Sequence, residues 1–168
     1  MATLDQILRS RDERAEHQRE LLGAHPGKTL VCLTVVMPGS VKRSAESLLI
    51  AGAAMHALIE EFGSSGPFLE TRDLPTGYEA YLLTSASVQD AKRAVCRIEE
   101  EHPLGRLFDI DVIAAGAAPL SRESLGLEPR RCLLCGRPAR ECMREGRHGY
   151  DELQARISEM VKHYVEQV

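Results

Sequence analysis

The chain reads as an α+β domain. Three observations carry this. Short β-branched or alternating runs recur along the chain, segments of helical period lie between and around them, and Gly/Pro clusters mark the boundaries. A length of 168 residues suits one domain.

The elements follow in order. Residues 3–23 predict a polar amphipathic helix whose apolar stripe starts at Leu4, Ile7 and Leu8 and ends at Leu21 and Leu22. His25, Pro26, Gly27 and Lys28 break it. Residues 30–37 are continuously apolar and β-branched, which predicts a buried strand, stopped by Pro38, Gly39 and Ser40. Residues 41–62 place Leu48, Leu49, Ala53, Met55, Leu58 and Ile59 at helical spacing, and Gly63, Ser64, Ser65, Gly66 and Pro67 close that helix. A short strand is expected over 68–72, a turn at Leu74, Pro75, Thr76 and Gly77, and another strand over 78–85. Residues 88–101 read as a helix with Ala91, Ala94, Val95 and Ile98 on one face, ended by His102 and Pro103. Residues 107–113 form a strand, 114–131 a loop, and 150–165 a last helix. After the first helix the order is β-α-β-β-α-β, the ferredoxin-like split βαβ pattern. Here it carries added N-terminal and C-terminal helices. A small Cys/His-rich element at 131–148 belongs to the same single domain, 1–168.

Bulk composition narrows the function. The net charge of −4 gives no global basic field, and the absence of Trp leaves few stacking platforms, so nucleic acid is not an expected partner. Residues 1–15 contain no apolar signal region, and the run at 30–37 is too short to span a bilayer. A cytoplasmic location without a membrane partner is therefore expected. Three of the five cysteines fall between 132 and 142. In a reducing compartment that crowding suggests metal ligands rather than disulfides.

Asp109 and Asp111 sit two apart in a predicted strand, so both carboxylates point to one face while Phe108, Ile110 and Val112 point to the other. Carboxylates roughly 6–7 Å apart by strand rise can share a hard divalent cation such as Mg²⁺ beside substrate phosphates. The competing reading is a solvated strand face, which the repulsion of two like charges disfavours.

Basic residues stand near turns. Gly39 and Lys42 follow the buried strand, where a helix beginning near Val41 would offer backbone N–H groups to a phosphate. Gly39 would permit close approach. Arg11 and Arg14 lie on the first helix, and Arg106 directly precedes the aspartate strand. Each can equally be a surface charge. Cys132, Cys135, Cys142 and His148 give the spacing C-x2-C-x6-C-x5-H, with Gly136 permitting a tight turn. Such a set suits structural, tetrahedral Zn²⁺. A cluster of reduced thiols is the alternative.

Several segments together resemble one family. They are Ser10 to Arg14, Leu33 to Gly39, His102 to Val112, Ser121-Arg122, and Pro129 to Cys135 with Cys142 and His148. Over nearly all its length the chain resembles the apo-citrate lyase phosphoribosyl-dephospho-CoA transferases, also called holo-citrate lyase acyl carrier protein synthases. The resemblance implies transfer of a phosphoribosyl-dephospho-CoA group from its triphosphoribosyl donor to a serine of the citrate lyase acyl carrier (gamma) subunit, with release of diphosphate. It implies that Asp109 and Asp111 hold Mg²⁺ against the triphosphate, while Arg106, Lys42, Arg11 and Arg14 neutralise phosphate charge. His102 is either a base for the serine proton or a charge at a helix C-terminus. Two other functions stay open: the same transfer to a malonate decarboxylase carrier, and a zinc-stabilised adaptor that binds a carrier without chemistry. Paired aspartates argue against the adaptor.

Overall fold

A computed structural model of the chain describes residues 1–63 and 69–167. The sheet is built on β1 (Thr29–Val35). β1 pairs on one side with β3 (Gly77–Thr84) and on the other with β4 (Phe108–Ile113), while β2 (Leu69–Leu74) extends the sheet beyond β3. Every pairing is antiparallel and the order is β2-β3-β1-β4. α2 (Ala45–Phe62) connects β1 to β2, and α3 (Val88–Glu101) connects β3 to β4. α1 (Leu4–Ala24) precedes the sheet, and α4 (Ala139–Glu145) and α5 (Tyr150–Gln167) follow it.

The continuous apolar run of β1 is explained by burial on both faces. Val31 and Leu33 pack with Ile50 and Leu58 of α2, Val95 of α3, and Phe108 and Ile110 of β4. Leu30 and Cys32 point oppositely and join Tyr81, Leu83, Ile113 and the α1 residues Leu21 and Leu22. Each fully buried aliphatic side chain of this kind contributes about 1.5–3 kcal/mol. β4 alternates as its sequence requires: Phe108, Ile110 and Val112 are buried, and Asp109 and Asp111 are exposed.

Several boundaries differ from expectation, for identifiable reasons. α2 starts at Ala45, not near Val41. Ser44 caps it by accepting from the Ser47 N–H at 3.1 Å, and the Ser44 N–H donates to the Ser47 hydroxyl at 2.8 Å. The preceding residues are held outside the helix. Arg43 grips Asp73 through two hydrogen bonds of 2.7 Å, and Lys42 donates to the Met37 carbonyl. Hence no helix N-terminus exists at Val41 to cradle an anion. β1 ends at Val35, because the Val36 N–H turns to the Leu107 carbonyl at 2.9 Å. Leu4 and Leu8, expected to begin an apolar stripe, are 73% and 48% exposed. Only the C-terminal half of α1 seats on the apolar part of the sheet, through Leu21 and Leu22. The expected closure at Ser64, Ser65, Gly66 and Pro67 and the expected strand start at Phe68 lie outside the described residues. Among the described residues, no helix is long and apolar enough to cross a membrane.

Candidate active site

The sheet face beneath α1 carries two polar rows. Strand register aligns Arg72, Glu79, Thr34 and Asp109 in one row, and Glu70, Tyr81, Cys32 and Asp111 in the next. α1 is fastened across them. Ser10 Oγ lies 2.8 Å from Thr76 Oγ1, Arg14 Nη1 donates to Glu79 Oε1 at 3.3 Å, and His17 Nε2 lies 3.0 Å from Glu70 Oε2. Glu79 is only 3% exposed, yet its charge is compensated: Arg14 pairs with one oxygen and the Tyr81 hydroxyl donates to the other. Burial, and then this bond to Glu79, push the Tyr81 hydroxyl pKa up.

Towards its N-terminus α1 overhangs the sheet and encloses a cavity of about 730 Å³. The wall includes Arg11 and Arg14 of α1, Lys42 after β1, Arg106 and Asp109 at the start of β4, and Arg130 and Arg131 ahead of the cysteines. Among the described residues, Arg11, Lys42 and Arg106 form no ion pair with a carboxylate. Burial and the nearby Arg11 push the Lys42 amine below its ordinary pKa. Burial, then Arg130 and Arg122, do the same to Arg106. The Arg106 Nε is a buried nitrogen without a hydrogen-bond partner among the described residues. Arg106 sits on the short 3-10 turn Gly105–Leu107. A Cβ on Gly105 would lie 2.5 Å from the Glu99 carbonyl oxygen, so glycine lets this turn press against the end of α3.

The two aspartates share a face, as expected, but only Asp109 lines the cavity. Its carboxylate accepts from Thr34 Oγ1 at 3.3 Å and from Arg130 Nη1 at 3.3 Å. Asp111 stands one row deeper. The residue is exposed overall, yet desolvation by the surrounding protein, and then the charge of Asp109, push its carboxyl above the usual range. Gly39 lies outside the cavity wall. Its φ of +67° and the Tyr150 ring, 2.5 Å from where a Cβ would sit, account for the glycine. His102 also lies elsewhere, its ring centroid 4.8 Å from Phe108 and 5.5 Å from Tyr164. Its Nδ1 accepts the Leu104 N–H at 3.0 Å, and burial lowers its pKa.

The ligand atoms of Cys132, Cys135, Cys142 and His148 lie within 4.8 Å of one another, so the cluster can hold a metal ion such as zinc. Cys135 Sγ is 3.4 Å from Cys142 Sγ and 3.2 Å from His148 Nε2. All five cysteines are free thiols. Burial opposes ionisation of Cys132, but backbone N–H groups of Leu134 and Cys135, with the neighbouring thiols, bring its pKa down to about 7.

The family model described as apo-citrate lyase phosphoribosyl-dephospho-CoA transferase matches residues 2–164, a span that contains every wall of this cavity. The chain belongs to that transferase family. A relative from Vibrio cholerae serotype O1 (strain M66-2) is 41% identical over 166 residues, covering 96% of this chain and 93% of its own. One from Streptococcus pyogenes serotype M18 (strain MGAS8232) is 36% identical over 162 residues, covering 94% and 84%. Both are named probable apo-citrate lyase phosphoribosyl-dephospho-CoA transferases.

For this transferase family member, sequence reasoning located Arg11, Arg14, Lys42, Arg106 and Asp109, and the fold gathers all five. It gave no role to Thr34, Glu79, Arg130 or Arg131. Arg130 and Arg131 had a visible signal, a basic pair directly before a C-x2-C motif. Arg122, quoted there in a motif, instead braces the scaffold. It bonds Glu99 and Glu100 at 2.6 Å each, away from the cavity.

Proposed function

We propose that the chain moves the 2'-(5''-phosphoribosyl)-3'-dephospho-CoA group from a triphosphoribosyl donor to a serine of the citrate lyase acyl carrier (gamma) subunit. In that step the serine Oγ bonds to the donor's α-phosphorus. The bond from that phosphorus to the diphosphate oxygen breaks, and the serine proton passes to water. The products are a phosphodiester-linked carrier and diphosphate.

One observation carries this reading. Arg11, Lys42 and Arg106 line a single cavity without carboxylate partners, beside Asp109. Lys42 and Arg106 are partly buried cations lacking counter-ions, which is costly in a ligand-free protein, and a polyphosphate offsets that cost, with the exposed Arg11 adding like charge at the rim. These three would take the phosphate oxygens, with Arg14 held over the same space by Glu79. The citrate lyase names of the relatives favour that acceptor over a malonate decarboxylase carrier.

We read Asp109 and Asp111 as Mg²⁺ ligands. Their shared face and the raised pKa of Asp111 support this, because a dication relieves the repulsion between them. Such an ion, once bound, offsets charge developing on the phosphate oxygens. The three thiols and one imidazole of the cysteine cluster favour Zn²⁺. The order β2-β3-β1-β4, with helices crossing from β1 to β2 and from β3 to β4, supports the ferredoxin-like reading of the sheet. The free thiols agree with a cytoplasmic location.

Mass spectrometry of apo-carrier incubated with donor, Mg²⁺ and this protein tests the function. The carrier should gain the mass of the phosphoribosyl-dephospho-CoA group. Carrier binding without a mass gain would instead support the adaptor.

A further inference from the structure

Residues 121–149 contain one buried residue, Cys142. A segment of this length with so little core must be held by something other than apolar packing. Its backbone does close on itself. The Cys132 N–H donates to the Arg137 carbonyl at 2.6 Å, the Ala139 N–H donates to the Arg130 carbonyl at 2.7 Å, and Arg131 bridges to Pro138. Gly136, at φ +40°, makes the tight turn between them. The ion pairs of Arg137 with Glu141 and Glu145 are half exposed, and such pairs contribute little. Arg122 pins the start of the segment to Glu99 at 2.6 Å and Leu133 packs against the core, but within the knuckle itself the main tie is the convergence of Cys132, Cys135, Cys142 and His148.

The residue that opens this knuckle reaches into the phosphate wall. Arg130 Nη2 donates to the carbonyls of Arg106, at 3.1 Å, and Phe108, while Nη1 bonds Asp109 at 3.3 Å. One guanidinium thus ties together the backbone carrying Arg106 and the carboxylate of Asp109. The Arg130 carbonyl is itself tied to Ala139, inside the loop between the cysteine ligands.

We infer that a metal ion held by Cys132, Cys135, Cys142 and His148 acts as a positioning element for polyphosphate binding, through Arg130. The ion fixes the knuckle, the knuckle fixes Arg130, and Arg130 fixes Arg106 and Asp109. This rests on the zinc reading of the cluster and on the phosphate reading of the cavity. With four protein ligands the site is closed and takes no substrate. Arg130 is accordingly a positioning residue.

The experiment uses the full chain in zinc-loaded and chelator-stripped form, together with Cys135→Ser, Arg130→Met and the double variant. Zinc content, amide hydrogen exchange and the Kd for inorganic triphosphate are measured on each. The loaded protein should hold about one zinc per chain. Stripping should expose the amides of Cys132 and Ala139 while those of β1, β3 and β4 stay protected. Triphosphate should bind roughly tenfold or more weakly to the stripped protein, as for loss of a charge-assisted contact. Re-adding zinc should restore it. Cys135→Ser and Arg130→Met should each weaken binding similarly, and the double variant should be no weaker than either, because both break one chain of contacts. Equal triphosphate affinity with and without zinc would overturn the inference. No zinc uptake would overturn the zinc reading beneath it. No triphosphate binding by the loaded wild-type chain would overturn the phosphate reading instead.

Discussion

Replacing Arg106 with methionine separates stability from binding with opposite expectations. In the ligand-free chain the Arg106 charge is a burden. Its Nε is buried without a partner among the described residues, and Arg130 and Arg122 add like charge nearby. A cation whose pKa is depressed by folding destabilises the protein while charged, so its removal should not lower Tm. Methionine keeps the unbranched stem and its packing, and apolar replacement of a buried ion is often neutral or stabilising. Binding should move the other way. Losing one charge-assisted contact to phosphate costs about 1.5–3 kcal/mol, or roughly 10- to 150-fold in Kd. Titration calorimetry with inorganic triphosphate measures the affinity, and a ligand-free thermal melt measures the stability. Affinity for dephospho-CoA, which lacks the triphosphate, should change much less. A lower Tm with unchanged triphosphate affinity would refute the placement, since Arg106 would then be a structural cation.

Four other substitutions follow from the same geometry. Asp109→Asn and Asp111→Asn should each lower turnover by ~100-fold or more in a carrier-loading assay, as for loss of a key electrostatic contact; near-wild-type rates in both would remove them from the site. Without metal, Asp111→Asn should melt above wild type at neutral pH, because folding raises the Asp111 pKa. That carboxyl destabilises the fold above its folded pKa, and the gap should close as pH falls through that pKa towards the unfolded value. Gly105→Ala would put a Cβ 2.5 Å from the Glu99 carbonyl oxygen and 2.6 Å from that of Ile98. At about 1–3 kcal/mol for such overpacking, Tm should fall by roughly 2–12 °C, and triphosphate affinity should fall with it as Arg106 is displaced. Arg122→Met leaves the buried Glu99 unpaired, at a cost of about 3 kcal/mol, yet the KM for donor should not change; a changed KM would put Arg122 in the site.

Much of this architecture was legible because each element's pattern has a local cause. The unbroken apolar run in β1 reflects coverage on both faces, and the alternation in β4 reflects coverage on one. What the sequence hid was non-local. Leu4 and Leu8 look like core because helical spacing cannot show that half of α1 overhangs a cavity. The start of α2 was misplaced because Arg43 is drawn to Asp73, 30 residues away, and only tertiary structure brings that partner near. Arg130 was missed as an Asp109 partner for the same reason, since the two stand 21 positions apart. Gly39 was assigned to a ligand because its role against Tyr150 depends on a helix beginning more than 100 residues later.

The cavity itself follows from how α1 is attached. Leu21 and Leu22 anchor one half of the helix to apolar positions of the sheet. The rest is fastened chiefly by polar links, at Ser10, Arg14 and His17, with the His17 ring also edge-on to Tyr81 at 4.7 Å. Polar links need space for side chains of fixed length, so the helix stands off the sheet there instead of packing flat. The Arg14–Glu79 pair is therefore both a strut and a charge. Glu79 holds one edge of the Arg14 guanidinium, and the remaining N–H groups are left for the cavity. An apolar pair at 14 and 79 would hold α1 equally well but close the space, because it would replace a side chain that spans the gap with two that fill it. A ligand-binding role for the cavity explains a buried carboxylate there better than stability does, since buried ion pairs rarely exceed apolar packing in stabilising a fold.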